Sequence, residues 1–201
     1  MAINLKKGQS IVLSKSEYDL SKLTMALGWD VAKAKRGFFG GMIGSGADFD
    51  LDSYALLLGA NGKLKDYKED AIYYGHLASK DKTVVHSGDN LTGAGEGDDE
   101  QIVLKLSVLS AQYQRIILGV NIYKAHERKQ HFGLVENAFV RAIDATGKEI
   151  ARYSLSSDPS YEGKITMFMG ELYREEGEWK FKALGNALAD DLGGVITSYR
   201  G

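Results

Sequence analysis

The chain has 201 residues, with 25 Lys and Arg against 27 Asp and Glu, so its formal net charge is −2. This length suits one ordinary domain with a sizeable core, and the balanced charge argues against a polycation built to bind nucleic acid. Glycine occurs 24 times, proline once and cysteine never, which excludes disulfide scaffolds, thiolate metal sites and cysteine nucleophiles.

No part of the sequence predicts secretion or a membrane span. The segment 1–16 carries three lysines but lacks the apolar core of a secretory signal. No segment approaches the ~18 consecutive apolar residues of a membrane-spanning helix. We therefore expect a cytoplasmic protein. The glycine-rich segment 37–46 contains Phe38, Phe39, Met42 and Ile43, which leaves open either peripheral contact with a membrane or partner, or a loop that folds onto its own surface.

Short strands with a period of two are the main pattern in the sequence. β-branched and aromatic residues predict strands at 11–13, 23–29, 54–58, 101–109, 115–123, 134–143, 150–155, 165–173 and 179–184. The alternation is clearest at 101–109, where one face is predicted to meet a core and carries Ile102, Leu104, Leu106 and Val108. Turn residues separate the strands at 60–63 and 145–148, and 174–177 is expected to close a hairpin between the last two.

A helical period occurs only near the end of the chain. Asn186 is placed to cap a segment whose apolar stripe comprises Leu188, Leu192, Val195, Ile196 and Tyr199. Gly193 and Gly194 lower the helix propensity there. The many short strands and turns predict an all-β fold, a two-sheet β-sandwich with short helical segments, one of them near the C-terminus, formed by residues 1–201 as a single domain.

The main chemical signal is an acidic, glycine-rich stretch between Ser87 and Leu104 that contains no lysine or arginine. Its oxygen-bearing side chains include Asp89, Asn90, Glu96, Asp98, Asp99 and Glu100. Two carboxylates about 4 Å apart repel by about 4 kcal/mol at an effective dielectric near 20, so gathering several requires a cation. Calcium takes oxygen ligands, and glycines let the backbone turn its carbonyls inward. The stretch therefore predicts a calcium site, with a solvated acidic turn as the alternative.

A second group of carboxylates lies at Asp48, Asp50 and Asp52. Alternate residues of an extended segment face the same way, so these three side chains are expected on one side, and Asp30 could join them. An Asp-rich entry to a strand also occurs in ordinary turns, so a metal site and a turn both stay open. Transition metals would normally recruit histidine, and magnesium prefers fewer carboxylates with retained water.

Motifs for more specific chemistry are not met. His126 and His131 are five positions apart, whereas the zinc-protease pattern needs four, and there is no Gly-x-Ser-x-Gly elbow. An EF-hand loop starting at Asp89 would place Leu91 and Gly93 at ligand positions. Paired carboxylates still leave a metal-dependent hydrolase or oxyanion-processing enzyme as the alternative to a non-catalytic binding protein. We favour binding, because no apolar wall is evident that would raise the pKa of a general acid.

These motifs resemble the TerD-type tellurium-resistance and stress-response proteins of bacteria. The resemblance covers residues 1–200 and rests on Gly-Trp-Asp at 28–30, Phe-Asp-Leu-Asp at 49–52, Gly-Asp-Asn-Leu-Thr-Gly at 88–93, Gly-Glu-Gly-Asp-Asp-Glu at 95–100, Asn-Ala-Phe-Val-Arg at 137–141, Glu-Ile-Ala-Arg-Tyr at 149–153, Gly-Glu-Leu-Tyr-Arg at 170–174 and Glu-Trp-Lys-Phe at 178–181. It implies a β-sandwich that binds calcium, two ions side by side, with a cytoplasmic role in resistance to tellurite and other stresses. It implies no known enzymatic activity.

The resemblance also implies which residues bind the ions and which partners the protein has. The implied calcium ligands are Asp50, Asp52, Asp89, Asn90, Glu96, Asp98, Asp99 and Glu100. Ala94 departs from the family, which often carries an acidic residue there, and one fewer negative charge is expected either to weaken the affinity for an ion or to leave the ion more hydrated. The expected partners are other proteins of the tellurium-resistance system, including TerD-family paralogues. Trp29 and Trp179 are expected to be core aromatics.

Overall fold

The computed structural model describes residues 2–31, 50–88, 98, 100–155 and 158–201, without the side chains of Asp30, Val31 and Glu136. Within these ranges the chain forms two six-stranded sheets that pack face to face, which confirms the predicted all-β sandwich. None of the helices in the described ranges is long and apolar enough to traverse a lipid bilayer.

The strands are mostly short, as the frequent turn residues predicted. In chain order they are β1 (Ile3–Leu5), β2 (Ser10–Leu13), β3 (Leu23–Val31), β4 (Leu51–Leu58), β5 (Ala71–Ile72), β6 (Val84–His86), β7 (Glu100–Leu104), β8 (Arg115–Ile122), β9 (Val135–Ile143), β10 (Glu149–Ser154), β11 (Thr166–Glu175) and β12 (Glu178–Leu188). The described residues also include the helices α1 (Ala125–Arg128) and α2 (Leu192–Ser198), and two 3-10 turns at Phe132–Leu134 and Pro159–Tyr161.

The two sheets take their strands from distant parts of the chain. The first sheet has the order β1, β10, β9, β3, β7, β6, and the second has the order β2, β12, β11, β8, β4, β5. Neighbouring strands are antiparallel, except that β1 runs parallel to β10. The first two strands thus lie at an edge of different sheets, so the short connection between them passes from one sheet to the other.

Alternating apolar side chains of both sheets form one core between them. Ile102 and Leu104 of β7 are fully buried there, as the alternation predicted. The prediction that the strand continues to residue 109 is wrong, because the chain turns after Leu104 and the amide of Val108 donates to the carbonyl of Lys105. Val108 is consequently 66% exposed rather than in the core. Trp29 and Trp179 are buried in the core, as expected.

A second, smaller cluster lies on the outer face of the second sheet, beneath α2. Its buried members are Tyr54, Leu56, Leu58, Leu64, Ala71, Ile117, Leu192 and Val195. The predicted C-terminal helix is confirmed, but the prediction that Asn186 caps it is wrong. Strand β12 continues through Asn186 to Leu188, and the cap is Asp191, whose Oδ1 accepts a hydrogen bond of 2.8 Å from the amide of Gly194.

The hairpin predicted at 174–177 joins β11 to β12. Its two central residues, Glu176 and Gly177, have φ of 53° and 83°. Two successive positive φ angles give a type I′ turn, whose twist matches that of paired strands, and glycine adopts the second at no steric cost. This tight turn fixes the register of the longest strand pair in the second sheet, with Glu175 opposite Glu178.

Candidate metal centre

The predicted calcium ligands divide into two sets. The described residues include Asp50, Asp52, Asp98 and Glu100. The predicted ligands Asp89, Asn90, Glu96 and Asp99 lie outside the described residues, as do Asp48, Ala94 and the segment 37–46. Asp30 lies in β3, but its side chain is not described.

Asp50 and Asp52 lie where the chain enters β4. Both are largely buried, with exposures of 7% and 2%. The carbonyl of Asp50 accepts a 2.8 Å hydrogen bond from the amide of Tyr123, and Arg128 Nη1 lies 3.5 Å from Asp50 Oδ2. Alternation along β4 places Asp52 on the same face as Tyr54, which belongs to the cluster beneath α2. Asp52 therefore faces outward from the second sheet.

Glu100 begins β7 and points into the space between the two sheets. It lies opposite the core residue Leu27, and its side chain is fully buried. Its Oε2 accepts a 2.5 Å hydrogen bond from the amide of Ser53 in the other sheet, whereas its Oε1 is buried and accepts no hydrogen bond from the described residues. Leaving a buried acceptor unsatisfied costs about 1–3 kcal/mol, and more when it is charged. This oxygen is therefore suited to a cation.

His86 of β6 completes the buried polar group around Glu100. Its Nε2 lies 2.8 Å from Ser53 Oγ and 3.5 Å from Glu100 Oε2, while its Nδ1 accepts a 3.0 Å hydrogen bond from the amide of Gly88. Nε2 of His86 therefore faces both the Ser53 hydroxyl and the Glu100 carboxylate. The arrangement also differs from a Ser-His-acid triad, in which the hydroxyl and the carboxylate contact different ring nitrogens.

Asp98 lies on the outer face of the first sheet, where Arg141 of β9 holds it. Arg141 Nε and Nη2 donate to the two carboxylate oxygens at 2.8 Å each, and Gln101 Nε2 donates to Oδ2 at 3.3 Å. The third arm of Arg141, Nη1, donates to Glu149 at 2.9 Å, and Arg152 Nε donates to Glu149 at 3.0 Å. The hydrogen bonds from Arg152 and Arg141 lower the pKa of Glu149, and those to Asp98 and Glu149 raise the pKa of Arg141.

The described carboxylates point in different directions at one end of the sandwich. Asp98 faces outward from the first sheet, Glu100 lies between the sheets, and Asp52 faces outward from the second. Within the described ranges, no three His, Asp or Glu side chains are grouped so as to hold a metal ion. The starts of β4 and β7 nevertheless meet through the Ser53 to Glu100 hydrogen bond. The donors at this end are oxygens, which fits a hard cation such as calcium.

Three residues of this region carried no signal of their own in the sequence. Ser53 and His86 contact Glu100 from other strands, and no spacing along the chain indicates that they meet. Arg141 lies in the motif at 137–141 that supports the family resemblance, so its position was noted but not its contact with Asp98. Only the pairing of the strands brings these residues to the acidic end.

The fold and the site together define the class of protein, which is a two-sheet, all-β protein with buried carboxylates at one end. The TerD domain model matches residues 1–199, and the chain therefore belongs to the TerD family.

The similarity to known proteins extends over nearly the whole chain. The tellurium resistance protein TerX of Serratia marcescens is 42% identical over 203 residues, which cover 95% of each chain. The general stress protein 16U of Bacillus subtilis (strain 168) is 44% identical over 200 residues, which cover 99% of this chain and 97% of that one. The fold is similar to the crystal structure of a homologue of telluride resistance protein (TerD), SCO6318 from Streptomyces coelicolor A3(2), with a TM-score of 0.65 and 21% identity over 88% of this chain and 95% of that one.

Proposed function

We propose that the protein is a calcium-binding stress-response protein associated with resistance to tellurite, and that it acts by binding rather than by catalysis. Membership of the TerD family and the names of the relatives support the stress-response role. The observation that supports calcium is the buried Glu100 carboxylate, whose Oε1 accepts no hydrogen bond from the described residues.

The ligands in this proposal come from the two acidic segments of the sequence. The set predicted from the sequence comprises Asp50, Asp52, Asp89, Asn90, Glu96, Asp98, Asp99 and Glu100, and we propose that two calcium ions take their ligands from it. Calcium would supply the positive charge that lets these carboxylates lie together at the end of the sandwich. The protein's own part is to hold Asp50, Asp52 and Glu100 buried near the starts of β4 and β7, where little water competes for them.

Ordering of the acidic end would create a surface for partner proteins of the tellurium-resistance system, including TerD-family paralogues. An ion that binds only the folded chain stabilises it by mass action, by about 2.7 kcal/mol at a concentration one hundred times its Kd. Occupancy would therefore change both the stability of the fold and the shape of the acidic end. Both effects occur without a chemical step.

Replacement of Glu100 by glutamine tests the proposal. We expect Glu100→Gln to lower calcium affinity at least tenfold in a calorimetric titration, because the amide presents one neutral oxygen instead of a charged carboxylate. Without calcium, the variant should be at least as heat-stable as the wild type, since a buried charge has been removed. Glu178→Gln, at the exposed hairpin, is the matched control and should change neither quantity.

The titration also separates calcium binding from a general effect of charge. Calcium should raise the melting temperature and a chelator should reverse the rise, whereas magnesium at the same concentration should have a much smaller effect. If the wild type bound no calcium at millimolar concentrations of the ion, the proposal would be overturned.

A metal-dependent hydrolase or oxyanion-processing enzyme is the alternative interpretation of the same carboxylates. The Ser53, His86 and Glu100 side chains are buried and are not arranged as a catalytic triad. Assays of tellurite, phosphate esters and glycosides, each with and without calcium, distinguish the two functions. Turnover that Glu100→Gln abolishes would contradict the non-catalytic role.

A further inference from the structure

Arg141 and Asp98 form the most completely satisfied ion pair at the acidic end. Two parallel hydrogen bonds of 2.8 Å join them, and the Asp98 side chain is only 7% exposed. The guanidinium also donates to Glu149 through Nη1. A bidentate pair of this kind fixes orientation as well as distance. Asp98 is therefore held rigidly against the first sheet.

The ion pair between Arg141 and Asp98 fixes the position of Asp98 just before the start of β7. Asp98 is held on the outer face of the first sheet, and Glu100, two residues later, reaches inward to the amide of Ser53. These contacts hold Asp98 and Glu100 on opposite faces of the sheet. Gln101 adds to this by donating from its amide to Ser87 Oγ and from its side chain to Asp98. Release of Asp98 would free one of the two points that direct the Glu100 carboxylate.

We propose that Arg141 is a positioning residue for the calcium site, and that Asp98 serves as its anchor rather than as a ligand. This inference rests on the proposed calcium binding. Both oxygens of Asp98 accept hydrogen bonds from the Arg141 guanidinium, whose positive charge neutralises the carboxylate and repels a calcium ion that approaches it. Glu100 has a buried oxygen with no such competitor among the described residues. Arg141 thus keeps Asp98 in place and holds Glu100 in the binding geometry.

The direction in which calcium affinity changes when Arg141 is removed distinguishes a positioning role from a purely electrostatic one. If Arg141 acted only as a nearby positive charge, or if it competed with calcium for Asp98, its removal would raise calcium affinity. If it positions the site, its removal lowers affinity although a repelling charge has been lost. Loss of a residue that orients metal ligands commonly reduces affinity 10- to 100-fold.

The experiment is a calcium titration of Arg141→Gln, Asp98→Asn and the double variant. We expect each single substitution to lower affinity about tenfold without changing the number of ions bound, and the double variant to bind no more weakly than either. Arg152→Gln is the matched control, since it removes a cation from the same network but leaves the Asp98 contact intact. It should leave the affinity unchanged or slightly higher. Arg141→Lys, which keeps the charge but not the bidentate contact, should fall between Arg141→Gln and the wild type.

Amide exchange in calcium-free protein provides a readout that does not depend on the ion. Arg141→Gln should accelerate exchange at Gln101 and Ser87, whose amides bond across the start of β7, and Arg152→Gln should not. Higher calcium affinity in Arg141→Gln, or loss of one bound ion in Asp98→Asn, would overturn the positioning role and leave calcium binding itself standing. No uptake by the wild type would instead overturn the proposed function, and the positioning role with it.

Discussion

Tyr54 and Gly119 show how closely the second sheet is packed at the scale of single residues. They lie directly opposite each other on β4 and β8, and the fully buried Tyr54 ring covers the glycine. A side chain at position 119 would meet the Tyr54 ring and would come within 2.8 Å of the carbonyl oxygen of Met167. Burial raises the pKa of Tyr54 well above its ordinary value. The absence of a Cβ at 119 is therefore what lets the tyrosine pack there.

Gly119→Ala should destabilise the protein by about 1–3 kcal/mol, because the added methyl group overpacks a buried site bounded partly by backbone. The urea midpoint measures the change. Gly193→Ala is the contrasting substitution, since its nearest neighbour would lie at an ordinary 3.4 Å and α2 would gain helix propensity. We expect that variant to keep or increase its stability, by up to about 1 kcal/mol. Equal losses in the two variants would contradict the packing argument.

At the scale of elements, α2 depends on a cap that periodicity alone did not locate. The apolar stripe correctly indicated a helix, but it included Leu188, which belongs to the end of β12. The pairing of β12 with β11 extends to Leu188 opposite Thr166, so sheet pairing takes precedence over helix propensity there. Asp191, three residues beyond the end of β12, accepts a hydrogen bond from the amide of Gly194 and caps the helix.

Asp191→Ala should lower stability by about 1 kcal/mol, through loss of the hydrogen bond to the amide of Gly194 and fraying of the first turn. Asn186→Ala, in an exposed position of β12, should change it by less than about 0.5 kcal/mol. Thermal unfolding followed by circular dichroism compares the two. The reverse order of effects would show that the helix is capped from Asn186.

The strands that sequence reasoning found and those it missed differ in length. Long runs such as β8 and β11 were predicted, because β-branched, aromatic and other apolar residues recur over eight or ten residues. The two- and three-residue strands β1, β5 and β6 were not, because so few residues carry no period. They exist because longer strands offer them free hydrogen-bonding edges. Val108 illustrates the opposite error, since its alternation continues past the point where the chain turns.

At the scale of the whole molecule, the composition of the candidate site was predictable and its contacts were not. The acidic residues stand out in the sequence because Asp98 and Glu100 share a stretch free of cations. Their partners, Arg141 and Ser53, are distant along the chain and meet them only through sheet packing. A carboxylate that the sequence suggested as a ligand is thus held by an arginine in the fold.

Acid should weaken the whole fold through carboxylates that are hydrogen-bonded in the native state. Burial alone would raise the pKa of Asp144, but hydrogen bonds from Thr146 and Lys148 outweigh it and lower the pKa below its ordinary value. A lowered pKa contributes stability that is complete above the unfolded-state pKa and is lost as the pH falls through the folded-state pKa. Asp144→Asn should therefore flatten the fall of the urea midpoint between neutral and acidic pH. Asn186→Ala, at an exposed position and with no titrating group removed, should leave that slope unchanged.

The placement of the first two strands has a consequence for synthesis of the chain on the ribosome. Strand β2 pairs with β12, where Leu13 lies opposite Trp179, so its partner is translated more than 160 residues later. At about 5–20 residues per second, β2 waits roughly 10 to 30 seconds for that partner. During this interval its backbone groups lack their sheet partner, and an unpaired strand is a template for wrong pairing with another nascent chain. Crowded polysomes would therefore be the setting in which this fold most needs a chaperone.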